Sequence, residues 1–132
     1  HPYLFDRYAF VFNGLLKGVS LPNIPGRIGA EKICYLVQQE LKEHSPQDAL
    51  ERVRVLLHRH CREIVALNLG LATAEGIYSL NHFSCHPEYY ALHRWNDDQT
   101  HIICSEPLKL EQEITFAPIG VLQSYPPLDQ FA

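Results

Sequence analysis

Apolar residues recur along this chain in two rhythms, and these divide it into helical and extended stretches. From Ala30 onward, Ile33, Leu36, Val37 and Leu41 return at the three- and four-residue spacing of one helix face, with Glu31 at the start and Lys42 at the end in keeping with the helix dipole. This predicts a first helix over 30–43. Ser45-Pro46-Gln47-Asp48 then supplies a capping hydroxyl, a proline for the first helical position and an acid for the first turn. A second helix is predicted from there to about Arg62. Its stripe is Ala49, Leu50, Val53, Leu56, Leu57 and Cys61, while Glu51, Arg52, Arg54, Arg59 and Arg62 form its wet face.

The other rhythm is extended. YAFVF, from Tyr8 to Phe12, is aromatic and β-branched enough for a strand, and Asn13-Gly14 follows it as a turn signal. SLPNIPG, residues 20–26, reads as an exposed loop. Beyond Glu63 the chain reads as five short strands: IVALNLGLAT and GIYSLNHFS around Ala74-Glu75-Gly76, then YYALHRW, THIICSEPL and EITFAPIGVLQ. The links are hairpin-length, so the pairing is predicted to be largely antiparallel. The tail SYPPLDQFA, with adjacent prolines, is expected to be irregular. A strand, two adjacent helices and a run of strands give an α+β layered fold with helices on one sheet face.

Composition narrows the function. The chain has 132 residues, 46% hydrophobic and 20% charged, which suits a single domain over 1–132 with a real core. Eleven basic against fifteen acidic residues, net −4, give no basic excess for nucleic acid or an anionic membrane. No apolar run approaches the roughly 20 residues that span a bilayer, and HPYLFDRY lacks the charged and apolar regions of a signal peptide. The expectation is a soluble, cytoplasmic chain with no nucleic-acid or membrane partner.

Three sets of residues carry candidate chemistry. His58-Arg59-His60-Cys61 and Cys85-His86 offer zinc-type ligands, but His60 points away from the face shared by His58 and Cys61, and the spacing matches no zinc motif, so no metal is predicted. Cys85 or Cys104 with a histidine has the residue types of a nucleophilic pair, yet a free cysteine among apolar neighbours is usually core, and buried free thiols are expected for the four cysteines, Cys34, Cys61, Cys85 and Cys104. Asn13-Gly14 has two readings. It is a turn, or its asparagine side chain and an adjacent backbone N–H donate to an oxyanion.

Taken together, HPYLFDRYAFVFNGLL, GRIGAEKICYLVQQ and GIYSLNHFSCHPEYYALHRWNDDQTHIICSEPL resemble, in order, segments of the class II glutamine amidotransferases, which are N-terminal-nucleophile hydrolases. The first resembles a His-Pro-Phe element ahead of a strand ending in His-Asn-Gly. The second resembles a Gly-x-x-Asp-Ser-Glu helix start, and the third a hairpin series ending in Ser-Glu-Pro-Leu. The resemblance implies an αββα sandwich of which this chain supplies the later part. It further implies an N-terminal cysteine as nucleophile with its own α-amino group as base, and an oxyanion hole from the Asn13 side chain and the Gly14 N–H. Glu31 matches the acid of the helix start as a structural residue.

The departures bear on activity. His1 is no cysteine, Phe12 stands where the family has histidine, Gly29 where it has the aspartate that grips the glutamine amino group, and Ala30 where it has serine. The upstream arginine segment that holds the glutamine carboxylate is not in the chain. The expectation is therefore a domain that hydrolyses glutamine, or another small amide, to the acid and ammonia when an N-terminal cysteine segment completes it. The alternative is a non-catalytic binding or regulatory module on the same fold. No cofactor is implied, and a synthase partner or a homodimer is the expected assembly.

Overall fold

The computed structural model describes residues 1–106 together with strand segments at 117–118 and 122–125. Strands β1 (Tyr3–Phe5) and β2 (Tyr8–Val19) are followed by helices α1 (Gly29–Glu40) and α2 (Pro46–His60). Then come β3 (Cys61–Thr73), β4 (Gly76–Phe83), the one-turn α3 (Pro87–Tyr90), β5 (His93–Asn96), β6 (His101–Cys104), β7 (Ala117–Pro118) and β8 (Leu122–Tyr125). The first sheet runs β1-β2-β3-β4-β8 and the second β6-β5-β7, every pairing antiparallel. The fold class is α+β.

The period-two alternation of β2 to β4 gives the first sheet two working faces. Phe10, Leu67, Leu69, Leu71 and Leu80 form one core with Ile33, Val37, Leu50, Val53 and Leu57 of the helices. Burying each such side chain contributes roughly 1.5–3 kcal/mol. The opposite face carries Val11, Asn13, Asn68, Gly70, Ser79 and Asn81, and the second sheet lies over it.

The predicted helix starts match the structure. Ser45 Oγ accepts from the Asp48 N–H at 3.3 Å with Pro46 at the first position, and the buried residues of the second helix all come from its predicted stripe, whereas the first buries Cys34 besides Ala30, Ile33, Leu36 and Val37. Both helices end earlier than predicted. The first stops at Glu40, leaving Lys42 outside it. The second gives way at Cys61 because the β2–β3 ladder already pairs Val19 with Cys61 and draws the chain into extended form.

The turn at Ala74-Glu75 falls where expected, and β5 and β6 are joined by a turn that Asp97 opens. Thr73 Oγ1 accepts from the Glu75 N–H, and Asp97 Oδ1 accepts from the Gln99 and Thr100 N–H groups. YYALHRW is not one strand. Pro87 and Glu88 start a helical turn, and only its end joins β5. A first hairpin at Asp6-Arg7, with Asp6 at φ +47°, was not read from the sequence. Of EITFAPIGVLQ and SYPPLDQFA, everything beyond the two short strands lies outside the described residues.

Asn13-Gly14 is not a turn. β2 runs straight through it, with Asn13 opposite Asn68 and Gly14 opposite Leu67, and the register shifts only at Leu15/Leu16. Gly14 answers to crowding instead: a Cβ there would sit 2.4 Å from the Ala66 carbonyl oxygen.

Candidate functional site

β1 pairs with β2 only as far as Phe10, so from Val11 onward that side of β2 is an open sheet edge. The Phe12 N–H points across it and donates to His1 Nε2 at 3.3 Å. Backbone amides alternate direction along an antiparallel strand, so the Gly14 N–H, two residues on and ahead of the bulge, faces the same open edge, while the Val11 and Asn13 amides face β3. Asn13 lies between, and its exposed side chain stands on the inter-sheet face. The sequence reading of Asn13 and Gly14 thus corresponds to an exposed side-chain amide beside an edge-facing backbone N–H.

Two hollows flank this point, and Phe12 borders both. Between the sheets is a cavity of about 560 Å³, lined on one side by Asn13, Gly70 and Ser79 and on the other by Leu92, His101, Ile103, Cys104 and Ser105. Beside the start of α1 is a groove of about 520 Å³ bordered by Gly14, Arg27, Gly29 and Ala30. Gly29 brings no side chain to this groove, and its Cβ position opens onto empty space. The Glu31 carboxylate is spent on structure: it accepts from the Arg27 N–H at 2.7 Å and from its guanidinium at 3.1 Å. These bonds, the backbone one foremost, hold the Glu31 carboxyl below its usual range.

The inter-sheet face is fixed by a polar knot. Asn68 and Asn81 face each other across a pair that does not exchange backbone hydrogen bonds, where side chains approach most closely. Asn81 Nδ2 donates to Asn68 Oδ1 and to the Tyr90 carbonyl at 3.0 Å, Asn68 Nδ2 donates to the same carbonyl at 3.1 Å, and the Leu92 N–H donates to Asn81 Oδ1 at 3.1 Å. These bonds tie the chain between α3 and β5 down over the first sheet and place Leu92 as a cavity wall. Neither asparagine was singled out from the sequence, although each interrupts an apolar strand, which was the available signal.

The remaining candidates are dispersed. Among the described residues no group of three or more His, Cys, Asp or Glu is placed to hold a metal ion. His58 packs edge-on against His82, with ring centroids 4.9 Å apart, and not against a cysteine. No disulfide joins the four cysteines, but burial is expected of all four and holds only for Cys34: Cys61 and Cys104 are half-buried, and Cys85 is exposed on the bend leading into α3. Burial pushes the Cys34 and Cys61 thiols up, which disfavours the thiolate. Cys104 and His101 reach the inter-sheet cavity, and the Cys104 thiol lies 3.9 Å from the His93 carbonyl oxygen. No described helix is long and apolar enough to cross a membrane.

This architecture is shared with a protein of known structure. A glutamine aminotransferase class-II domain protein from Silicibacter pomeroyi superposes on 96% of this chain and 70% of its own, with a TM-score of 0.64 and 16% identity. A predicted glutamine amidotransferase from Pseudomonas aeruginosa overlaps 89% of this chain and 58% of its own, with a TM-score of 0.47 and 15% identity. No protein-family model matches the sequence, and no curated protein does. At 16% identity the first likeness shows the shared fold, and function has to be argued from the site.

Proposed function

We propose that the chain is a glutamine amidotransferase-like domain in which Asn13 and Gly14 stabilise the oxyanion of amide hydrolysis. The observation that carries the reading is the edge-facing Gly14 N–H next to the exposed Asn13 amide. Two neutral donors at an open strand edge suit a carbonyl oxygen that gains negative charge when a nucleophile attacks it. The nucleophile, on the resemblance, is a cysteine at the N-terminus of a segment preceding His1, whose own α-amino group takes the thiol proton. Attack on the side-chain carbonyl of glutamine releases ammonia and leaves an acyl-enzyme that water hydrolyses to glutamate.

The test uses the protein with whatever residues precede His1 and measures ammonia release from glutamine. Asn13→Ala is expected to lower kcat by roughly 10²-fold or more, with KM little changed, as loss of one oxyanion donor does. Unchanged turnover would reject the role. A second reading, a binding or regulatory module on this fold, is supported by Gly29, which offers the groove no carboxylate for an amino group. Absence of ammonia release by the unmutated protein would favour that module.

A further inference from the structure

Ser79 lies in the middle of β4 and is only 2% exposed, and its hydroxyl has no hydrogen-bond partner. It belongs to the inter-sheet face, opposite Gly70, and borders the cavity that Asn13 borders from β2. A buried hydroxyl left without a partner costs more than a satisfied one, and a bound polar ligand removes that cost. A Cβ at Gly70 would lie 2.8 Å from a Val11 methyl, so Val11 fills the space over Gly70 next to Ser79.

Val11, Ile77, Leu92 and Ile103 give the cavity around Ser79 apolar walls, with the uncharged Asn68 and Ser105 and the ring of His101 among them. Among its described lining residues there is no Asp, Glu, Lys or Arg. A zwitterionic amino-acid head brought inside would lose hydration on two charges with no ionic partner in return, whereas an apolar group meets matching walls. A primary carboxamide offers both a donor and an acceptor, which complements a hydroxyl that can act as either.

We infer that the inter-sheet cavity takes a small uncharged primary amide with an apolar acyl group, its carboxamide on Ser79. This departs from glutamine as the substrate and rests on the amide-hydrolase reading for the choice of an amide. The acyl group is then the specificity element, selected by the apolar walls, and Ser79 is a binding residue for the carboxamide.

The experiment is an NMR titration of the purified chain with phenylacetamide and, separately, with glutamine. Phenylacetamide is expected to saturate, to shift the backbone amide signals of Ser79 and Asn13, and to bind at least tenfold more tightly than glutamine. Ser79→Ala should weaken it roughly fivefold, the worth of one neutral hydrogen bond, without lowering the melting temperature. Glutamine binding as tightly as phenylacetamide, full phenylacetamide affinity in Ser79→Ala, or no saturation by phenylacetamide would each overturn the inference. The two readings fail separately: a glutamine preference removes the apolar-acyl assignment and leaves the oxyanion role intact, whereas unchanged ammonia release in Asn13→Ala removes that role whatever the cavity binds.

Discussion

Replacing Asn81 by alanine tests the joint that holds the second sheet against the first. The side chain is 4% exposed and takes part in three hydrogen bonds, to Asn68, to the Tyr90 carbonyl and from the Leu92 N–H. Its removal orphans the Leu92 N–H and Asn68 Oδ1, while the Tyr90 carbonyl keeps its bond from Asn68 Nδ2. Two newly unpaired buried groups at about 1–2 kcal/mol each, plus the void left by the amide, come to about 3 kcal/mol. For a domain of this size that lowers Tm by about 10 °C. Urea unfolding followed by tryptophan fluorescence reads it, since Trp95 lies on β5 just beyond the joint. Asn68→Ala combined with Asn81→Ala should cost less than the sum of the single changes, because they share partners. A loss below about 1 kcal/mol for Asn81→Ala would mean that the knot carries little and that water replaces it.

Two further predictions concern neighbouring positions. Gly14→Ala should destabilise by at least about 2 kcal/mol, because its Cβ meets the Ala66 carbonyl backbone, while Gly70→Ala should cost less because only the tip of Val11 has to turn aside; equal losses in chemical denaturation would contradict the crowding argument. Burial, then the His58 ring and Arg54, holds the His82 imidazole below its usual 6.5, with Glu51 opposing. The unfolded chain therefore takes up this proton first, so the contribution is present above pH 6.5 and is lost as pH falls below it. His82→Gln should flatten the fall in Tm between about pH 7 and 5, and an unchanged slope would place the pH dependence elsewhere.

Much of the fold was legible because the periodicities were clean. The stripe of Ala49, Leu50, Val53 and Leu57 and the cap at Ser45 depend on local chemistry, and both appear as read. What local chemistry hid was tertiary. Asn13-Gly14 carries the same two letters as a hairpin turn, and only the long partner strand, pairing from Ala9 to Val19, turns it into mid-strand sequence. Pro87-Glu88 sits in a run with strand-like aromatics, and its helix-starting chemistry prevailed over them. The candidate site was half visible. Asn13 and Gly14 were named from their residue types, whereas Ser79 needed the sheet register to reveal that it faces a cavity with no partner.

Amide hydrogen exchange at Gly14 tests the central claim most directly. If its N–H faces the open edge as an available donor, it should exchange at least about a hundredfold faster than the Val11 and Asn13 amides that face β3 on either side of it. Protection of Gly14 equal to that of Asn13 would mean that its N–H is already bonded, and the oxyanion site would have no backbone donor.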